Sequence, residues 1–129
     1  MHTATYTSPH ARLHALPFAA AQVTGGFWAE RQAVNRTAGL RHGYEQLDLA
    51  GNFHNLRLAA GMTTGAYKGY LYLDSDLYKW LEAVSYALAA GPDPELEAMA
   101  NSTIGLLAAA QQGDGYLGIE PLDRTNKSF

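Results

Sequence analysis

A chain of 129 residues is one domain's length or a piece of a larger domain, and 47% hydrophobic against 16% charged residues marks it as globular rather than disordered. The formal net charge of −3 comes without any basic run, which argues against nucleic acid as a partner, since phosphate binding needs clustered Lys and Arg. The absence of cysteine excludes disulfides, thiolate metal sites and a cysteine nucleophile within these residues.

The first segment, residues 1–26, is polar and irregular and ends in the flexible Gly25-Gly26 pair. It lacks the basic start and long apolar run of a secretory leader, and Pro17 interrupts its one apolar patch. No apolar stretch approaches the ~20 residues of a membrane span. The expectation is a soluble, non-exported, cytoplasmic chain with no membrane partner.

A first helix is expected over about Phe27–Leu47, with a sparse apolar face of Phe27, Val34, Leu40 and Leu47, weakened by Gly39 and Gly43. A short helix follows in "NFHNLRLAAG", where Phe53, Leu56 and Ala60 share a face and Gly61 supplies the stop. The Gly- and Tyr-rich "MTTGAYKGYLYLD" reads as a loop. The strongest helix comes next: Leu77, Trp80, Leu81, Val84 and Leu88 repeat at i, i+3, i+4, i+7 and i+11, Asp74 or Ser75 is placed to cap the start, and Gly91-Pro92 ends it. Asp93 then caps a last helix with Pro94 at its first position, an inner stripe of Leu96, Met99, Ala100, Thr103, Leu107 and Ala110, and a stop at Gly113. Joined only by "GPDP", these two helices must run antiparallel as a hairpin, and such a hairpin needs further helices to cover its stripes.

Several stretches in order, "TGGFWAERQAVNR", "NLRLAAG", "DSDLYKWLEAVSYALAAGPDPELEA" and "LLAAAQQGDGYL", resemble the N-terminal part of the catalytic domain of glycoside hydrolase family 127, the β-L-arabinofuranosidases. The resemblance spans about Val23–Leu117. It implies an all-α fold of antiparallel helical hairpins, the N-terminal portion of an (α/α)6 barrel, with residues 27–129 as a partial catalytic domain behind the irregular 1–26. It implies a parent enzyme that hydrolyses terminal furanosides with retention, and an arabinofuranoside-type oligosaccharide or glycan as partner. It also implies zinc, a zinc-bound cysteine nucleophile and a glutamate acid/base in the full-length family, all outside the matched region. With no cofactor of its own, this chain alone is expected to lack activity. The tail after "DGYL" departs from the family's aromatic-rich continuation, which suggests truncation, a frameshift or a divergent terminus.

Six residues are candidates for substrate binding: Asp74, Asp76, Tyr70, Gln112, Asp114 and Tyr116. Catalytic carboxylates must flank the scissile bond, about 5 Å apart for retention or roughly 6.5–9.5 Å for inversion. Asp74 and Asp76, two positions apart at a helix start, diverge, so they are read as a cap and a dipole partner or as ligands for sugar hydroxyls, with no catalytic residue assigned. Tyr70, with Tyr67, Tyr72 and Tyr78, offers flat rings suited to sugar faces or to packing, and Trp80 lies on the core stripe. "QQGDGYL" reads equally as a braced turn, with Gln and Asp side chains tying down loop backbone. His42, Glu45 and Asp48 have metal-like spacing without a convincing further ligand. Two other readings stand beside the glycosidase: a non-catalytic helical scaffold or carbohydrate-binding module, and a different α/α-barrel enzyme such as a lyase or cyclase.

Overall fold

The structure, a computed structural model, describes residues 9–10, 12–13, 16–70 and 72–118. His2, His14 and the divergent tail from Ile119 onward lie outside the described residues. A short 3₁₀ turn at Phe18–Ala20 precedes five α-helices: α1 (Gly26–Val34), α2 (Leu40–Ala50), α3 (Asn52–Ala59), α4 (Asp74–Ala90) and α5 (Pro94–Ala110). No strand occurs among the described residues.

The expected first helix continues past Leu47 to Ala50 and is interrupted by a π-helical turn at Asn35–Gly39 that joins α1 to α2. The turn has a use. It places Arg36 so that its guanidinium donates to Ala87 O, Gly91 O and Pro92 O, the carbonyls left unpaired where α4 ends. Gly39 lies inside it beside the Asn35 side chain, whose Oδ1 would be 2.9 Å from a Cβ there and would have to turn aside. The sparse apolar face is only half confirmed. Leu40 is buried and Leu47 packs on the core, but Phe27 and Val34 are exposed, and α1 buries no residue.

α4 is the hub, packed against α2, α3, α5 and the 3₁₀ turn. Its stripe is buried as the spacing predicts: Leu77, Trp80 and Val84 fully, Leu81 and Leu88 in part. On α5, Leu96, Ala100, Thr103, Leu107 and Ala110 are buried, and Thr103 donates its hydroxyl to Met99 O. Two core clusters result. One gathers Phe53, Leu56, Leu77, Leu107 and Ala110; the other gathers Leu40, Trp80, Val84, Leu96 and Ala100. Tyr44 joins them, with its ring 4.7 Å from that of Phe53 and 5.0 Å from that of Trp80. The Trp80 indole N–H is satisfied by Leu40 O at 2.8 Å. Gly43, which weakens the helix on propensity alone, makes room for the same ring: a Cβ there would lie 3.3 Å from Trp80 Cδ1.

Two helix ends differ in how they are made. Asp93 caps α5 as expected, accepting from Leu96 N–H, with Pro94 behind it. Asp93 also pairs with Arg41 at 3.1 Å, and Arg41 reaches on to Glu95 at 2.7 Å, so the hairpin turn is tied to α2. The start of α4 is not capped by Asp74 or Ser75. Leu73 is the N-cap and offers no side-chain bond; instead Ser75 N–H and Asp76 N–H donate to Tyr72 O and Leu73 O in a tightened first turn. At the other end, α5 stops at Ala110 rather than at Gly113.

Gly51 turns α2 into α3 with φ +94, and a Cβ there would meet Lys68 Cβ at 2.8 Å. Gly51→Ala is therefore expected to destabilise the chain by about 1 kcal/mol or more in denaturant unfolding, through strain and overlap together. The Leu96 N–H holds the Asp93 carboxyl below its ordinary range against the opposing effect of burial, with the Arg41 and Arg36 guanidiniums adding to the lowering. A depressed carboxyl stabilises the fold above its unfolded pKa, about 3.9, and that stabilisation is lost as pH falls through the lower folded value. Asp93→Asn should therefore melt below wild type at pH 7, with the gap in melting temperature closing as both are taken below pH 4.

Candidate functional site

The candidate residues lie on two segments, the loop and first turn of α4 and the turn after α5. The loop has little regular backbone pairing, and α3 holds it with side chains. Asn55, fully buried, donates Nδ2 to Lys68 O at 2.8 Å and accepts from Lys68 N–H at 2.9 Å. Asn52, also buried, donates to Leu73 O at 2.6 Å, and His54 Nε2 lies 3.0 Å from Ala66 O. Tyr67 donates its hydroxyl to Tyr70 O. Sequence reasoning missed both asparagines. Their signal was positional: Asn52 and Asn55 stand i, i+3 and directly before Phe53 and Leu56, which puts them beside the buried face.

With the loop so fixed, the candidates divide by what they touch. Asp74 Oδ1 accepts from the adjacent Ser75 N–H, and the carboxylate lies beside Tyr78. The Tyr78 phenol is pushed above its ordinary value by burial first, then by the negative charge of Asp74 and by Tyr116; its buried hydroxyl has no partner of good hydrogen-bond geometry. Asp74 from the start of α4 and Tyr116 from the turn after α5 thus both act electrostatically on Tyr78. Asp76 points elsewhere and pairs with Lys79 at 3.2 Å. Two positions along a helix are about 200° apart, so the two aspartates cannot flank one bond.

The turn after α5 is braced as its residues suggest. Gln111 donates its side chain to Gly115 O at 3.0 Å, and Asp114 Oδ1 accepts from Tyr116 N–H at 2.9 Å. Gln112 closes the turn through its backbone, donating to Tyr116 O and accepting from Gly115 N–H. Asp114 is thus spent on the turn, whereas the half-buried Gln112 carries its side chain free of that pairing. Tyr70 and Tyr72 are both exposed, with parallel rings 5.5 Å apart.

A cavity of about 460 Å³ lies away from these residues, between the 3₁₀ turn, the π turn and the second half of α4. Its walls are mostly alanine and aromatic, and Arg36 at its edge already serves backbone carbonyls, so it brings no chemistry to the site. Among the described residues no group of three or more His, Asp and Glu side chains could hold a metal ion, so the zinc implied by the family resemblance finds no ligand set there. His42 and Glu45 are exposed, and Asp48 sits 3.8 Å from Arg57. No helix among the described residues is long and apolar enough to cross a membrane.

Comparison with known proteins agrees with this architecture. Residues 20–128 match the family model of the β-L-arabinofuranosidase GH127 catalytic domain. Over 63 residues, 49% of this chain, the sequence is 54% identical to a non-reducing end β-L-arabinofuranosidase of Bifidobacterium longum subsp. longum. A crystal structure of a GH127 β-L-arabinofuranosidase from Geobacillus stearothermophilus T6 superposes with a TM-score of 0.73 at 38% identity over 76% of this chain. A second GH127 β-arabinofuranosidase superposes at 0.72 with 32% identity over 80%. The chain spans only 10% of the Bifidobacterium protein and 16% of each solved structure. Its helices are part of an (α/α)6 barrel, and the chain belongs to the GH127 β-L-arabinofuranosidase catalytic-domain family.

Proposed function

We propose that this chain supplies one arc of wall and rim to a glycosidase that removes terminal arabinofuranosyl residues from a glycan with retention. The nucleophile, the acid/base and any zinc would come from the remainder of the catalytic domain. The observation that carries this reading is the family match over residues 20–128, which includes both rim segments. In this reading Asp74, Gln112 and Tyr116 would line that rim with Tyr70 on the adjoining loop, offering carboxylate, carboxamide and phenol groups to sugar hydroxyls. Asp76 and Asp114 support the rim through Lys79 and the Tyr116 N–H.

Surface exposure supports an arc rather than a self-contained scaffold or binding module. α5 leaves Ile104 half exposed, and Phe27, Trp28 and Val34 on α1 are 60%, 68% and 54% exposed. Scattered apolar residues are ordinary, but two helices presenting apolar positions on faces without neighbours are what an incomplete ring of helices displays.

Purified alone, the chain should leave an aryl β-L-arabinofuranoside unhydrolysed and should bind ANS. Produced with the remaining catalytic domain of a family relative, it should restore hydrolysis. In that assembly Asp74→Asn should raise KM by about tenfold with a smaller change in kcat, because a ground-state contact to substrate is lost. Turnover by the isolated chain, or no hydrolysis by an assembly shown to have formed, would overturn the reading.

A further inference from the structure

Three α3 side chains, two of them fully buried carboxamides, are committed to holding one loop. Burying a carboxamide costs free energy unless its hydrogen bonds are made, and Asn55 makes its bonds only to loop backbone. The loop is also held at glycines. Gly69 has φ +75, and a Cβ there would strike Leu73 Cδ1 at 2.5 Å. Such a construction fixes what the loop displays. Its exposed aromatic side chains are Tyr70 and Tyr72, at 70% and 65% exposure, with an interplanar angle of 1° and centroids 5.5 Å apart. Neither ring is needed for the core, where Tyr44, Tyr67 and Tyr78 are packed instead.

We infer that Tyr70 and Tyr72, stacked on each other, form a platform whose outer ring face takes one sugar residue of the glycan, with Asn55 and Asn52 as its positioning residues. This rests on the glycosidase reading above and adds Tyr72 and the two asparagines to it. A saccharide suits the platform because the C–H face of a sugar ring covers an aromatic face while its hydroxyls remain turned outward to water and polar groups. Asp74 follows two residues beyond Tyr72, where α4 begins. Holding both rings in place before binding removes an ordering cost that a mobile loop would impose.

The test is an NMR titration of the 129-residue chain, with ¹³C-labelled tyrosine rings, against a β-L-arabinofuranosyl disaccharide. Ring signals of Tyr70 and Tyr72 should shift together. Tyr70→Ala and Tyr72→Ala should each weaken binding about three- to tenfold, whereas Tyr72→Phe should keep it, since the ring face rather than the hydroxyl carries the contact. Asn55→Ala, checked for a retained helical spectrum, should weaken binding although both tyrosine side chains are still present, because the loop that carries them is released. No shift at either ring, or equal losses for Tyr72→Phe and Tyr72→Ala, would overturn the platform. Rings that ignore the disaccharide but lose solvent exposure when the rest of a catalytic domain is added would also overturn it, marking them as an internal packing surface. Hydrolysis by the assembled domain is a separate readout, so the platform can fail while the glycosidase reading stands.

Discussion

The buried carboxamide of Asn55 holds the loop before α4 in place. It binds both the N–H and the C=O of Lys68, and so substitutes for the ladder partner that an irregular loop cannot find in its own backbone. Asn52 adds a single donated bond five residues later, to Leu73 O, where α4 is about to begin, while its own buried Oδ1 has no partner. The direction of α4 and the placement of Tyr70, Tyr72 and Asp74 follow from these two attachments. This also explains how α4 starts without a side-chain cap: its entry is fixed from α3, and its first N–H groups are taken by Tyr72 O and Leu73 O.

Behind the rim, the helices are locked by pairings that cross from one element to another. Trp80 fills the space left by Gly43 and donates to Leu40 O, so α4 and α2 share a buried hydrogen bond as well as a packed surface. At the far end, Arg36 closes the last turn of α4 and Arg41 closes the start of α5 through Asp93 and Glu95. The long first helix thus grips the turn of the α4–α5 hairpin with two arginines. The π turn lies where that helix must aim Arg36 at the exposed carbonyls of α4, a local irregularity with a definite purpose.

Much of this was legible in the residues. The stripe of Leu77, Trp80 and Val84, the Asp93-Pro94 cap and the hairpin joined by four residues are statements about period and backbone chemistry, which sequence carries directly. The bracing of the turn by Gln111 and Asp114 followed from local side-chain reach. What escaped depends on distant partners. Asn52 and Asn55 look like ordinary polar positions until a loop is laid over them. Arg36 and Arg41 look like solvated charges until the end of a helix more than 50 residues on arrives beside them. Asp74 was a reasonable cap by residue type, but Leu73 holds that position, with its carbonyl bonded by Asn52. Phe27 and Val34 had helical spacing, yet spacing alone does not supply a neighbouring helix to pack on.

The account's central claim is that α3 fixes the loop before α4 through Asn55, and amide hydrogen exchange at Lys68 measures this most directly. Lys68 N–H lies in an irregular, exposed loop, so an unconstrained amide there would exchange at nearly the rate of a free peptide. The account predicts protection by about two orders of magnitude or more in the native chain, lost selectively in Asn55→Ala while α4 and α5 remain protected. Unprotected exchange at Lys68 in the native chain, or protection unchanged by Asn55→Ala, would contradict it.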